Sequence, residues 1–213
     1  MSSNSSSSPP VITAASAQTR QLILGSTSRY RRELLARLNT PFTVVGPDVD
    51  ETPAEHEAPH ALALRLALAK ARAVAALHPE AVVIGSDQVA DLNGTPLGKP
   101  GTHERAVLQL QRMRGHTVVF QTAVAVVCAA TQFEEVDLAA VKVQFRDLSE
   151  AEIESYLRTE QPYDCAGSAK SEGLGIALLA SIDNDDPTAL VGLPLIRTCR
   201  MLRAAGIALL GRA

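Results

Sequence analysis

Residues 21–38 read QLILGSTSRYRRELLARL. The run Gln21 to Gly25 is short, apolar and closed by a glycine, the pattern of a buried strand. Ser26, Thr27 and Ser28 follow as a polar turn, and Leu34, Leu35 and Leu38 then recur at helical spacing. Strand, polar turn and helix in that order open an α/β fold. The alternation continues outward. Phe42 to Val45 reads as a second strand, feeding a loop with Asp48, Asp50 and Glu51. Pro59 starts a long helix, because its fixed φ and missing N–H suit a first turn. Leu62, Leu66, Ala69, Ala73, Val74 and Leu77 lie on one face of it. Ala81 to Gly85 is the next buried strand, expected to end at Ser86 and Asp87. Val89 to Leu97 reads as a small hairpin turning at Asn93-Gly94.

Further along, Gly98-Lys99-Pro100 precedes a helix through Arg105, Leu108 and Met113. Thr117 to Ala130 and Val136 to Phe145 form a long hairpin around the polar Thr131 to Glu135. Ser149-Glu150-Ala151-Glu152 is a capping box, so a helix starts at Ser149. A loop over 161–175 follows, Ser181 to Pro187 reads as a turn, and Gly192 to Ala205 reads as the last amphipathic helix. The fold class is therefore α/β with a mixed sheet, in one domain over 20–213. Residues 1–19 are rich in Ser and Pro, with no Lys or Arg and no continuous apolar core. They read as a disordered tail rather than a secretory signal, and the expected setting is cytoplasmic.

Composition removes several functions. Of 213 residues, 46% are hydrophobic and 20% charged, as a folded domain requires. Lys+Arg 20 against Asp+Glu 23 leaves a net charge of -3, without the basic excess of a nucleic-acid binder. No apolar run approaches a membrane span, so neither nucleic acid nor membrane is an expected partner. Cys128, Cys165 and Cys199 form no C-x-x-C pair, and the five histidines form no H-E-x-x-H pattern. Disulfide scaffolds and zinc hydrolases lose their support. There is no G-x-G-x-x-G and no P-loop motif either.

Polar clusters remain at the strand ends, where α/β sheets bind ligands. Gly25 to Ser28 offers hydroxyls, backbone N–H groups and a helix N-terminus beside Arg29, Arg31 and Arg32, which suits a phosphate at Ser26 and Ser28. The same pattern also describes an N-cap with solvated arginines. Lys70 lies four residues after Leu66 and four before Val74, on the apolar stripe of its helix. Its ammonium either snorkels to water or points into a polar cavity. Lys99 is held between Gly98 and Pro100, and beside Arg31 and Lys70 it would complete a cationic cradle for a polyphosphate. Glu51 and Asp87, if they converge, can hold a divalent, oxygen-loving cation and orient a water. Asp48, Asp183, Asp185 and Asp186 read as turn formers.

The runs LILGSTSRYRRELL, DVDETP, ALAKARA, IGSDQV, GKP and MRGHTVVFQTAV, in that order, resemble the Maf family of nucleoside triphosphate pyrophosphatases. CAGSAKSEGLGI and TALVGLPLI resemble its branch acting on 7-methyl-GTP, and Gln88 stands where the dTTP and UTP branch typically has Thr. The resemblance implies a Maf/inosine-triphosphatase-like mixed twisted sheet flanked by helices. It also implies a divalent cation, Mg²⁺ or Mn²⁺, a nucleotide substrate, and a homodimer as in several members. Asp87 then matches the proton acceptor, with Arg31, Glu51, Lys70 and Lys99 as the other polar site residues. Tyr30, Gln88 and Glu172 match the positions that set base preference. Arg29 and Tyr30 depart from the Pro and Trp often found there, and Gly25 from a common Ala. The expected reaction releases pyrophosphate from a nucleoside triphosphate. The alternatives are a dTTP or UTP pyrophosphatase, and a non-catalytic nucleotide-binding regulator of cell division.

Overall fold

The computed structural model describes residues 20–210, so the expected tail over 1–19 lies outside the described residues. Strand β1 (Leu22–Gly25) leads through the Ser26–Ser28 turn into helix α1 (Arg29–Ala36). After β2 (Thr43–Val45) comes the long helix α2 (Pro59–Leu77), with Pro59 in its first turn. β3 (Val82–Leu92) turns at Asn93-Gly94, both with positive φ, into the short β4 (Thr95–Leu97). Helix α3 (His103–Met113) and the long hairpin of β5 (Thr117–Cys128) and β6 (Phe133–Phe145) follow. Helix α4 (Glu150–Glu160), strand β7 (Leu179–Asp183) and helix α5 (Leu195–Ala204) complete the order. One mixed seven-stranded sheet runs β2-β1-β3-β5-β6-β7, with β4 paired to β3. β1 is parallel to β2 and β3, and the β3–β5, β5–β6 and β6–β7 pairs are antiparallel.

Strand alternation assigns the two faces of this sheet. Ile23, Val83, Val89, Ala123 and Ala125 pack on Leu62, Leu66, Ala67, Ala71 and Val74 of α2. The opposite side chains, Leu24, Ile84, Val124 and Val126, pack on Leu34 and Leu35 of α1 and on Met201 and Leu202 of α5. A third cluster forms where α3 and α4 cover the other end of the hairpin, through Leu110, Met113, Phe120, Phe145 and Leu157. α2 lies close to β3 because Gly85 has no side chain. A Cβ there would stand 2.3 Å from the Ala67 carbonyl oxygen and 2.6 Å from the Ala71 nitrogen. No helix among the described residues is long and apolar enough to cross a membrane.

Four segments differ from the sequence expectation. β3 does not end at Ser86 and Asp87 but continues to Leu92, pairing residue by residue with β5 from Val83 to Asp91. Its polar stretch survives inside the sheet because each polar side chain finds a partner. β7 was not expected. It is an edge strand with mostly exposed side chains, so no apolar alternation marks it. The last helix starts at Leu195 rather than Gly192: residues 189–191 form a 3₁₀ turn, and Pro194 is the N-cap. Asp186 is no surface turn former. It is fully buried, accepting from the Thr188 hydroxyl and from the Arg197 backbone N–H.

Candidate active site

β1 and β2 stop at Gly25 and Val45, whereas β3 runs on past Gly85, its last residue paired with β1. Asp87 thus stands just beyond the carboxyl ends of the parallel strands, the usual ligand position in such sheets. By alternation it shares the α2 side of the sheet with Gly85 and Val89. There it accepts a hydrogen bond from Lys70 Nζ at Oδ1, 2.7 Å away, and Glu51 Oε1 lies 2.7 Å from the same nitrogen. Lys70 is only 5% exposed. It does not snorkel: a buried ammonium requires paired charge, and two carboxylates supply it. The Asp87 carboxylate keeps Oδ2, which accepts no hydrogen bond among the described residues.

The loop carrying Glu51 is tied to the same helix. Arg65 of α2 donates from Nε and Nη2 to the two carboxylate oxygens of Glu57, at 2.7 Å each. Its Nη2 also reaches the Thr52 carbonyl oxygen at 3.1 Å, next to Glu51. The Ala54 N–H donates to Glu57 Oε2. The Arg65 hydrogen bond is the main reason why the Glu57 carboxyl is held down at about 2. This latch had no signal in the sequence beyond a charged helix face. It anchors the backbone at Thr52 and Ala54, next to Glu51.

On the other side of β3, Arg31 turns inward from α1. Its Nε donates to the Gly192 carbonyl oxygen at 2.8 Å and its Nη1 to Ser26 Oγ at 3.4 Å. Burial pulls its guanidinium below the ordinary value, while Asp87 and then Glu51 push it back up. Ser28 is the N-cap of α1, accepting from the Arg31 N–H, and Ser26 is buried and accepts from the Ser28 N–H. Both hydroxyls are therefore part of the helix start, and both retain an O–H to donate. Arg29 and Arg32 are exposed, so only Arg31 of the three arginines leaves the solvated face. The Gln88 amide nitrogen lies 2.9–3.1 Å from Thr122 Oγ1 and the carbonyl oxygens of Ala189 and Leu190. Ser86 Oγ is bonded to the carbonyls of Ala123 and Gly192. Ser86, Gln88 and Thr122 thus brace the 189–192 segment, which the sequence did not associate with them.

A cavity of about 720 Å³, a size suited to a small-molecule ligand, opens between these elements. Lys70, Asp87, Glu51 and Arg31 share it with Lys99, Tyr30, Gln88 and Glu172. Lys99 and Glu172 are exposed on its rim, and Tyr30 is half-buried. The Arg29 guanidinium lies 4.6 Å from the Tyr30 ring centroid and donates to its hydroxyl. Burial raises the Tyr30 phenol above its ordinary value, against that hydrogen bond. Cys165, which sequence reasoning did not place here, also lines the cavity, and burial pushes its thiol up to about 12. All eight side chains expected at the site, together with Ser26 and Ser28, meet in this one space. Among the described residues no group of three or more His, Cys, Asp or Glu side chains is arranged to hold a metal. Glu51 and Asp87 are the pair that can contribute oxygen ligands. Chemically, the cavity sets Glu51 and Asp87 among Lys70, Arg31 and Lys99, and its lining also includes the Tyr30 ring, Arg29, Asp164 and Glu172.

The family described as "Maf-like protein" matches residues 21–205. A 7-methyl-GTP pyrophosphatase of a Polaromonas species is 75% identical over 92% of this chain and 90% of its own length. The 7-methyl-GTP pyrophosphatase of Albidiferax ferrireducens is 73% identical over 90% of this chain and 96% of its own. That of Burkholderia thailandensis is 62% identical over 87% and 88%.

Proposed function

The chain belongs to the Maf family, and on that premise we propose that it hydrolyses 7-methyl-GTP to the nucleoside monophosphate and pyrophosphate. The observation that carries this reading is Lys70, buried between Glu51 and Asp87 on the floor of a nucleotide-sized cavity. Water attacks the α-phosphorus, the bond from that phosphorus to the bridging oxygen breaks, and pyrophosphate leaves with the electron pair. Asp87 Oδ2 takes the water's proton. Lys70, Arg31 and Lys99 hold the phosphate oxygens, so negative charge on the departing pyrophosphate meets preplaced cations. The donor set fits Mg²⁺ or Mn²⁺, which Glu51 and Asp87 would hold; Asp87 Oδ2 serves either as that ligand or as the proton acceptor, not as both at once. Such a cation, when bound, supplies further neutralisation of phosphate charge. At the other end of the cavity, Tyr30 presents an aromatic face to the cationic 7-methylguanine ring. Glu172 accepts from the guanine N–H edge, and a base without that edge leaves the carboxylate unmatched. Gln88 acts on base preference by bracing residues 189–191.

A nucleotide panel with Mg²⁺ tests the reading. Pyrophosphate release should show a higher kcat/KM for 7-methyl-GTP than for GTP, UTP or dTTP. Tyr30→Ala should narrow the gap between 7-methyl-GTP and GTP by a few-fold to about 30-fold, the worth of roughly 0.5–2 kcal/mol of cation–π attraction. A wild type preferring UTP or dTTP would sink the assignment.

A further inference from the structure

Glu172 sits on the cavity rim in a segment with no helix or strand of its own, and its two flanks are held by one side chain. Glu160, the last residue of α4, accepts from Lys170 Nζ at Oε1, and from the Leu174 N–H at Oε2 over 2.8 Å. The Lys170 N–H in turn donates to the buried Tyr156 hydroxyl at 3.0 Å. The chain folds tightly round this carboxylate. A Cβ on Gly173 would stand 2.6 Å from Glu160 Oε2, and one on Gly175 would stand 2.5 Å from the Lys170 carbonyl oxygen. The side chain of Glu160 is 13% exposed and that of Lys170 is 22% exposed, so water screens this pair less than an ordinary surface pair. Glu160 is therefore clasped two residues before and two residues after Glu172.

We infer that Glu160 is a positioning residue for base recognition: it holds the 170–174 segment so that the Glu172 carboxylate faces the base end of the cavity. It touches no substrate itself. The bland role for the same pair, tying α4 to a loop for stability, would change melting temperature but would not change one substrate relative to another. The inference rests on the reading of this cavity as a 7-methyl-GTP site with Glu172 on the guanine edge.

The test is the ratio of kcat/KM for 7-methyl-GTP over UTP, measured on the same preparation for each variant. Glu172→Ala should lower that ratio by roughly tenfold or more, the loss of one charge-assisted contact. Glu160→Ala should lower it to a similar extent. The double variant should fall no further, because two residues acting through one contact are not additive. Glu160→Gln keeps an acceptor for the Leu174 N–H but drops the charge, and should lie between. If Glu160→Ala folds poorly, Lys170→Ala tests the same clasp from its other side and should also lower the ratio. A ratio that drops in Glu172→Ala but stays at the wild-type value in Glu160→Ala or Lys170→Ala overturns the inference and leaves the functional reading standing. A ratio unmoved by Glu172→Ala, or a wild type preferring UTP, overturns both.

Discussion

Lys70 shows how one residue's surroundings decide its role. Its place on an apolar stripe left open whether the ammonium reached water or a cavity, and Glu51 and Asp87 at 2.7 Å answer that. Each carboxylate lies on a different segment, so the pairing is a tertiary fact with no local signature. Asp87 has the clearest consequence. Asp87→Asn keeps the shape and an acceptor for Lys70, yet it cannot take a proton from water or bind a cation well. Turnover of 7-methyl-GTP should fall by about 10²–10⁴-fold, the usual contribution of a general base. Steady-state kinetics beside a thermal melt checks this: the melt should stay close to wild type. Activity within a few-fold of wild type would remove Asp87 from the reaction.

Among the elements, the meeting of α2 with β3 matters most, because it places Lys70 against Asp87. Gly85 is what permits it. Gly85→Ala puts a methyl group against the backbone of Ala67 and Ala71, which cannot rotate aside. Overpacking of this kind costs about 1–3 kcal/mol. The variant should melt lower, and its kcat should fall further than its stability explains, since α2 carries Lys70 away from Asp87. A lower melting temperature with unchanged kcat at a permissive temperature would show that the approach is not needed for chemistry. Much of this frame was legible: β1, α1, the Pro59 helix, the Asn93-Gly94 hairpin and the Ser149 capping box all rest on local rules, and all are present. What was missed depends on distant partners. β3 looked broken at Ser86 to Gln88 because the carbonyls of Ala189, Leu190 and Gly192 that satisfy Ser86 and Gln88 lie about a hundred residues on. Which side chains would share one cavity was readable from the motifs. The Arg65–Glu57 latch and the Glu160 clasp were not, since both are ion pairs between ordinary-looking charged residues.

For the molecule as a whole, two such carboxyls predict its behaviour in acid. Glu57, held chiefly by Arg65, and Glu152, held chiefly by the Ser149 N–H and then by Arg146, both sit at about 2 instead of 4.5. A carboxyl depressed in the folded state adds stability that is complete above its unfolded value and disappears as pH falls through the folded one. Unfolding midpoints in urea should therefore decline between about pH 4.5 and pH 2, with a shallower slope in Glu57→Gln and Glu152→Gln. Slopes equal to wild type would contradict the assignment of these pairs. Tyr30, Glu172, Lys70, Arg31 and Asp87 line one cavity, and the proposed reaction delivers water to the α-phosphorus there. Hydrolysis of 7-methyl-GTP in water labelled with heavy oxygen tests that directly. One labelled oxygen should appear in the nucleoside monophosphate and none in the pyrophosphate; label in the pyrophosphate, or release of orthophosphate instead, would mean that water attacks elsewhere.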